Sequence, residues 1–186
     1  MEEIVTIDGP TSSGKNSVGF LLARKLGYKY IDSGMIYRAG CLKILKENIS
    51  SNDLEKILDI YRNLDIRFES NDHWKMFLDN EDVTNQLHTP EISKLVPIIA
   101  AIPKVRELTQ ITQKKIASGG KVVMGGRDIG SEIFPEAKFK FWLTASVEER
   151  AKRRFKQLKE KDPATIYEDV LEDMLQRDKN DSERQV

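Results

Sequence analysis

The sequence contains little cysteine, no net charge and no long apolar run. Its single cysteine, Cys41, has no partner for a disulfide within the chain, and its apolar neighbours indicate a buried thiol in a reducing compartment. The 30 basic and 30 acidic side chains cancel, so no overall field favours nucleic acid or a membrane surface. No segment approaches the roughly 20 apolar residues of a membrane span, and acidic residues stand near the N-terminus where a signal peptide carries cations. We therefore expect a cytoplasmic protein without nucleic-acid or membrane partners.

The length and the order of apolar patterns predict one α/β domain. At 186 residues the chain, 1–186, suits a single domain with a sizeable core. Strand-like apolar runs alternate with helix-like periods, which is typical of parallel strands joined by helical crossovers. Buried strands are predicted at 4–8, 28–31, 121–124 and 139–143. Helices are predicted at 17–26, 35–47, 54–62, from 90 onward, 103–117, from 147 onward and 166–177.

Local signals mark several helix ends. Gly27 follows the first helix, Thr89 precedes Pro90 as an N-cap, and Ser146 begins a capping box. Pro97 interrupts the helical pattern that begins at Pro90, so we expect a kink or a helix restart there. The first helix is expected to pack through an apolar side formed by Val18, Leu21, Leu22, Ala23 and Leu26.

Between residues 64 and 78 the apolar period changes from helical to two. Apolar and polar residues alternate on both sides of a turn signal at 71–72. The pattern predicts a small β-hairpin inserted in the α/β frame. Its facing apolar residues are Ile66, Phe68, Trp74, Met76 and Leu78.

The segment GPTSSGKNS, residues 9–17, follows the first strand and precedes the first helix. Its glycines and Lys15 have the spacing of a phosphate-binding loop, in which backbone N–H groups face an anion and the lysine reaches the outer phosphates. Asn16 stands where the general pattern has Ser or Thr, so we expect Ser17 to supply the hydroxyl. An ordinary Gly-Pro turn before a helix is the alternative. The predicted ATP-binding residues are Gly9, Pro10, Thr11, Ser12, Ser13, Gly14, Lys15, Asn16 and Ser17.

Two further segments follow predicted strands. In IDSGMIYRA, Ser33 and Arg38 lie about one helical turn apart and could hold one anion, although a helix cap and a surface arginine explain them equally well. In GGRDIGSEIFPEA, Arg127 and Asp128 follow the third strand. Ligands of open parallel sheets lie beyond the carboxyl ends of the strands, so we expect this pair to contact substrate rather than to form a simple turn.

Two charged helix faces are candidates for anion binding near the C-terminal end. Residues three or four positions apart share a helix face, and such faces also form solvated surfaces or intrahelical ion pairs. The first face consists of Arg150, Arg153 and Arg154, and the second of Arg177, Asp181 and Arg184.

Taken together, these segments resemble bacterial cytidylate kinases of the P-loop nucleoside monophosphate kinase superfamily. The resemblance lies in the order and spacing of seven segments and covers essentially the whole chain. It implies a three-layer P-loop kinase fold with a central parallel sheet, helices on both faces, an inserted nucleoside-monophosphate-binding subdomain at 64–102 and a helical lid at 150–178. The segments are GPTSSGKNS, IDSGMIYR, NEDVTNQLHTPEIS, AAIPKVR, GRDIGSEIFPEA, LTASVEERAKRR and RDKNDSER.

The resemblance implies an enzyme that transfers the γ-phosphoryl group of ATP to CMP or dCMP, with Mg²⁺ bound to ATP and no separate protein metal site. A monomer is expected. The implied catalytic residues are Lys15, Arg127, Asp128, Arg150, Arg153 and Arg154. The implied substrate-binding residues are Ser33, Tyr37, Arg38, Arg106, Arg127, Asp128, Arg177, Asp181 and Arg184. Among the latter, the resemblance assigns Arg38, Arg127 and Arg184 to the CMP phosphate, Arg106 and Asp128 to cytosine, and Arg177 and Asp181 to ribose.

The chain departs from the family pattern at three positions besides Asn16. Pro97 replaces a serine that contacts the base, and His88 stands where arginine is common. Gly125 replaces an acidic residue that would help order water around magnesium, so we expect Gly125→Asp to raise kcat unless this glycine has a positive φ. These departures make a degenerate, non-catalytic nucleotide-binding protein the alternative.

The end of the chain also differs from the family. Related enzymes continue beyond the position of Val186 with a last strand and a terminal helix, and the sequence leaves open whether this chain is shortened or naturally short. We therefore expect the strand at 139–143 to keep one side unpaired.

Overall fold

The computed structural model describes residues 3–70, 73–160 and 162–182. Its strands are β1 (Ile4–Asp8), β2 (Lys29–Asp32), β3 (Ile66–Ser70), β4 (Trp74–Leu78), β5 (Glu81–Asp82), β6 (Val122–Gly126) and β7 (Phe139–Trp142). Its helices are α1 (Lys15–Leu26), α2 (Ser33–Lys46), α3 (Leu54–Arg62), α4 (Pro90–Ala100), α5 (Pro103–Ala117), α6 (Val147–Lys159) and α7 (Tyr167–Ser182). A short π-helix, Ile129–Ile133, follows β6.

A parallel sheet of four strands, in the order β2-β6-β1-β7, forms the centre of the fold. Alternate residues of these strands enter two separate core clusters, because successive side chains of a strand point to opposite faces. On one face Ile31 and Met124 pack with α2 to α5, and on the other Tyr30 and Val123 pack with Ala23 of α1. The predicted α/β fold, with helices on both faces of a parallel sheet, is confirmed.

The predicted hairpin is also confirmed. β3 and β4 pair antiparallel with Phe68 opposite Met76, and both side chains are buried. The two-residue strand β5, Glu81–Asp82, extends this small sheet and was not predicted, because two exposed acidic residues carry no strand signal. The turn predicted at 71–72 lies outside the described residues.

The helix ends follow the local signals closely. Thr89 accepts a hydrogen bond from the Ile92 amide, and Ser146 accepts one from the Glu149 amide, as expected of N-caps. Gly27 ends α1 in the left-handed conformation. The helix restart allowed at Pro97 does not occur, because α4 continues to Ala100 with this proline in its last turn, where it removes one helical hydrogen bond. The other expected outcome, a kink at Pro97, stays a prediction.

Two predictions about burial are wrong. Val18, Leu21 and Leu26 of α1 are about half exposed, because the helix packs through Gly19 and Ala23, and the ring of Tyr30 lies against Gly19 where a larger side chain would overlap it. β7 was predicted to be buried, yet all four of its residues are exposed. It lies at an edge of the sheet and pairs only with β1 within the described residues, which agrees with the predicted unpaired side.

The single cysteine is buried, as predicted, and burial raises the pKa of the Cys41 thiol to about 12. Within the described parts of the chain, none of the helices is both long and apolar enough to cross a membrane.

Candidate active site

The loop between β1 and α1 has the backbone shape of a phosphate cradle. Gly9, Ser12 and Gly14 all have positive φ angles, of 148°, 57° and 104°. A side chain at Gly9 would overlap the backbone carbonyl of Leu143 after β7, so only glycine fits there. The loop therefore curls tightly before α1 and leaves the N-terminus of that helix facing the edge of the sheet where β1 ends.

Lys15 closes this loop from within. Its ammonium donates hydrogen bonds to the carbonyls of Gly9 at 2.6 Å and Pro10 at 2.7 Å. Burial, followed by the nearby charge of Arg127, lowers the pKa of Lys15 to about 8, while the charges of Asp32 and Asp8 oppose the shift. An anion in the loop would stabilise the charged ammonium and raise this pKa.

Arg127 reaches the same loop from the end of β6. Its guanidinium donates to the Gly9 carbonyl at 2.6 Å and to the Asp181 carboxylate of α7, also at 2.6 Å. Asp8, the last residue of β1, accepts hydrogen bonds from the amides of Ile129 and Gly130 at 2.9 and 2.7 Å. Asp8 thus anchors the segment that carries Arg127 to the base of the phosphate loop, and burial raises the pKa of its carboxyl.

Ser33 and Arg38 lie on α2, above the carboxyl end of β2. Ser33 is buried at the start of the helix. The Arg38 guanidinium donates to the Leu87 carbonyl at 2.8 Å and to Ser93 Oγ at 3.4 Å, and burial lowers its pKa. In the structure Arg38 therefore contacts the segment that leads into α4. Tyr37, the predicted substrate-binding residue beside it, accepts a hydrogen bond from the Tyr61 hydroxyl through its backbone carbonyl.

Arg106 and Asp128, the predicted base-reading pair, lie close together. Arg106 Nη2 is 3.8 Å from Asp128 Oδ2, and the two side chains come from α5 and from the segment after β6. Both are only partly buried, so a ligand can reach their polar atoms.

The three arginines of α6 have different surroundings. Arg150 is buried and forms a two-point ion pair with Asp178 of α7, and it also donates to the Ala145 and Thr11 carbonyls. Arg153 donates to the Ser13 carbonyl at 3.3 Å and pairs with Glu149 one turn earlier. Arg154 is partly buried, and burial and the charge of Arg177 lower its pKa.

The residues of the second predicted face, on α7, also have different surroundings. Asp181 binds Arg127, whereas the charge of Arg177 acts on Arg38 and Arg154. The third member, Arg184, lies outside the described residues. α7 therefore supplies two acidic partners: Asp181 for Arg127 and Asp178 for Arg150 of α6. The role of Asp178 was not predicted.

Asn16 joins α1 to β2. Its Oδ1 accepts a hydrogen bond from the Tyr30 hydroxyl at 3.1 Å, and its Nδ2 donates to Asp32 Oδ2 at 2.6 Å. The other oxygen of Asp32 accepts the Gly34 amide at 3.0 Å and so caps α2. Burial raises the pKa of Asp32, while Asn16 and the charges of Lys15 and Arg38 oppose that shift.

Comparison with known proteins gives the family. A family model described as cytidylate kinase matches residues 5–186. The chain belongs to the cytidylate kinase family.

Curated relatives named cytidylate kinase agree with this assignment. The chain is 49% identical to that of Caldanaerobacter subterraneus subsp. tengcongensis over 98% of its own length and 80% of the relative's. It is 44% identical to that of Caldicellulosiruptor saccharolyticus, over 98% and 81%. It is 42% identical to that of Bacillus subtilis, over 98% and 82%. The resemblance found in the sequence is thereby confirmed, and the chain spans about four fifths of the length of these relatives.

In this member of the cytidylate kinase family, sequence reasoning missed Asp8, Tyr30, Asp32 and Asp178. Asp8 and Asp32 end β1 and β2, so their position at the carboxyl edge of a parallel sheet was a usable signal. Tyr30 looked like an ordinary apolar strand residue, and only the structure reveals that its hydroxyl reaches Asn16.

Proposed function

We propose that the protein transfers the γ-phosphoryl group of ATP to CMP or dCMP, giving ADP and CDP or dCDP. Family membership over residues 5–186 is the observation that carries this proposal. The geometry supports it, since the phosphate cradle with Lys15 and the arginine after β6 lie at one edge of the parallel sheet. The enzyme is then an ATP-dependent pyrimidine nucleotide kinase, and we propose that it acts in the cytoplasm as a monomer.

Catalysis in this proposal depends on alignment and charge. An oxygen of the CMP phosphate attacks the γ-phosphorus, and the bond from that phosphorus to the bridging oxygen of ADP breaks. Lys15 neutralises the charge that develops on the transferred group. To do so it exchanges the Gly9 and Pro10 carbonyls, its acceptors in the free protein, for phosphate oxygens.

The acceptor nucleotide is proposed to use the arginines on the other side of the cradle. Arg38 and Arg127 bind its phosphate, with Arg184 as the third predicted contact. A bound phosphate would compete with the Gly9 carbonyl and Asp181 for the Arg127 guanidinium. Ribose is assigned to Arg177 and Asp181.

Arg106 and Asp128 are proposed to read the cytosine. A guanidinium beside a carboxylate presents donors and an acceptor together, which suits a base edge that carries a carbonyl, a ring nitrogen and an amino group. Pro97 offers neither a hydroxyl nor an amide to the base. We therefore propose that discrimination against UMP is weaker than discrimination against purine nucleotides.

Magnesium fits the site as a companion of ATP. Within the described residues there is no group of three or more His, Cys, Asp or Glu side chains that could hold a metal ion. Mg²⁺ keeps several waters and commonly binds through one or two protein groups and substrate phosphates. The Ser17 hydroxyl could supply such a group, the carboxylate of Asp32 could accept hydrogen bonds from waters of the ion, and the bound ion would neutralise phosphate charge.

The predicted non-catalytic alternative has no observation in its favour. The cradle is intact despite Asn16, and Arg127 and Asp128 occupy the edge of the sheet where substrate is expected.

A coupled assay of ADP release tests the proposal. CMP, dCMP, UMP, AMP and GMP are each offered with saturating magnesium and ATP, and Lys15→Ala serves as the control for contaminating kinases. We expect kcat/KM for CMP and dCMP to exceed that for AMP and GMP by at least about 100-fold, because the wrong base edge leaves Arg106 and Asp128 unpaired. Similar values for CMP and AMP, or no ADP with any acceptor, would overturn the proposed function.

A further inference from the structure

Asn16 holds a fixed orientation between the buried Tyr30 and the partly buried Asp32. A carboxylate only accepts hydrogen bonds, so the amide nitrogen of Asn16 must face Asp32 and its oxygen must face the Tyr30 hydroxyl. A reversed amide would put two oxygens together on the Asp32 side. The side chain next to Lys15 is thus ordered by partners on both sides.

Tyr30 makes this arrangement rigid. The residue is 2% exposed, and its ring packs with Val5 and Val123 against α1. Glycines leave the space that it occupies: a Cβ at Gly19 would overlap the ring, and a Cβ at Gly125 would lie 2.8 Å from the hydroxyl oxygen. The hydroxyl that holds Asn16 therefore has little freedom to move.

The carboxylate of Asp32 is the end of this chain of contacts. One of its oxygens accepts the Gly34 amide and the other accepts Asn16, so the orientation of the group is fixed while each oxygen keeps a second lone pair. The charges of Lys15 and Arg38 both act on it. Asp32 is therefore near enough to feel the charges of both the phosphate-loop lysine and the arginine of α2.

The same residues line one cavity. Asn16, Tyr30 and Asp32 border a space of about 410 Å³ together with Ser17 at the start of α1 and Trp74 of the hairpin. The hydroxyl that we expect near magnesium thus shares a wall with the Asp32 carboxylate.

We propose that Asn16 is a positioning residue, which with Tyr30 behind it holds the Asp32 carboxylate in place to accept hydrogen bonds from water on the magnesium ion that enters with ATP. This inference rests on the proposed function for its biological setting, but it concerns the binding of magnesium and ATP alone. A contact that only tied α1 to β2 would affect stability and would act equally on ATP with and without the metal.

Equilibrium binding separates these two roles. Trp74 lines the cavity, so its fluorescence reports binding there once Trp142, the second tryptophan, is replaced by phenylalanine. In that background the Kd of ATP is measured with magnesium and with a chelator for Asn16→Ala, Asp32→Asn and the double variant. Asn63→Ala, which removes an exposed asparagine whose side chain bonds to Asp59 of α3, is the matched control.

We expect Asn16→Ala to raise the Kd of ATP with magnesium about tenfold, the range found for residues that orient metal-bound groups. The Kd of metal-free ATP changes less than about twofold, because that complex carries no magnesium-bound water for Asp32 to hold. Asp32→Asn has at least the same effect, and the double variant is no worse than Asp32→Asn, because both changes remove one interaction. Tyr30→Phe shifts the magnesium-dependent Kd in the same direction by less.

Equal losses with and without magnesium would overturn the proposal, as would a magnesium-dependent loss in Asp32→Asn that Asn16→Ala does not share. Because none of these measurements uses CMP or turnover, a protein that fails the kinase assay can still pass this one. The failures of the two proposals are therefore distinguishable.

Discussion

The two neighbours of β1 in the parallel sheet differ sharply. β6, on one side, is buried over its first four residues, whereas β7, on the other, is exposed at all four. Phe141 and Trp142 of β7 leave 53% and 66% of their surfaces exposed, values far above those of any apolar residue in β6. Helices cover β6 on both faces, and within the described residues β7 has no comparable cover.

Both the buried strand β6 and the exposed strand β7 lead to contacts with the phosphate loop. β6 leads directly into Arg127, which reaches the phosphate loop. The exposed strand is tied to the same loop at its end, where the Leu143 amide donates to the Asp8 carbonyl at 2.8 Å, and the Leu143 carbonyl leaves room only for glycine at Gly9. The site thus depends on where the carboxyl ends of the strands lie. β7 brings Leu143 to the phosphate loop although all four of its residues are exposed.

The largest expected effect comes from Lys15→Ala, in the phosphate loop that follows β1. This change removes the ammonium aimed at the transferring group, so we expect kcat to fall about 100- to 1,000-fold. The free energy of unfolding should change little, because the lost contacts are two hydrogen bonds to loop carbonyls and burial of that charge is itself unfavourable. Lys25→Ala, an exposed lysine in the last turn of the same helix, is the control. Turnover equal to that of the parent protein would show that the loop does not hold ATP as proposed.

The next effect tests how tightly β6 is packed. Gly125 has no positive φ, so the predicted conformational obstacle to aspartate does not exist. A Cβ there would instead lie 2.8 Å from the Tyr30 hydroxyl, and Tyr30 cannot withdraw from the core. We therefore expect Gly125→Asp to lower stability by about 1 to 3 kcal/mol through overpacking, and to lower kcat because Asn16 loses its partner.

Measurement of kcat against magnesium concentration, with denaturant unfolding in parallel, decides this case. Gly119→Asp is the matched control, because a Cβ at that position meets nothing within 4 Å. A folded Gly125→Asp protein with a higher kcat would support the original expectation from the sequence, that a carboxylate here assists magnesium, and would count against rigid packing around Tyr30.

Local sequence signals predicted most of the helices and strands and the position of the phosphate loop. The phosphate loop, the N-caps at Thr89 and Ser146 and the hairpin each depend on residues within a few positions of one another. Such short-range chemistry is legible in one sequence, since turn and cap preferences act on neighbouring backbone groups.

The partners of the site residues could not be predicted in the same way. The contact of Asp8 with the Ile129 amide spans 121 residues, and that of Arg127 with Gly9 spans 118. No local preference encodes which distant oxygen a buried cation will find. The exposed apolar residues of β7 were misjudged for a related reason, because an apolar run predicts a strand but not whether anything covers it.

A smaller effect on kcat/KM is expected from pH, again through Lys15 of the phosphate loop. Because burial lowers the pKa of Lys15 to about 8, a rise in pH above that value removes the charge from the free enzyme. We expect kcat/KM for ATP to fall about tenfold per pH unit above this point, since that ratio reports the free enzyme. Bound phosphates favour the ammonium, so kcat should persist to higher pH. A kcat/KM that stays level between about pH 7 and pH 9.5 would contradict a titrating Lys15.

The smallest effect concerns β7 and tests the comparison from its exposed side. Successive amides of a strand point to opposite sides. Since the Leu143 amide donates to Asp8 of β1, the Phe141 amide faces β1 as well, while those of Lys140 and Trp142 face away. Hydrogen exchange measured amide by amide should therefore be at least about 100-fold faster at Lys140 and Trp142 than at Phe141 and Leu143.

The same exchange experiment reveals whether another strand covers this edge in solution. Val123 of β6, between two paired strands, provides the slow reference. An exposed apolar edge invites pairing with a second copy, so we expect protection at Trp142 to rise with protein concentration if copies associate there. If Lys140 and Trp142 are as protected as Phe141 even at the lowest concentration, the edge is covered within one chain. The contrast between the two neighbours of β1 would then be wrong, and the exposed side chains of β7 would need a partner from outside the described residues.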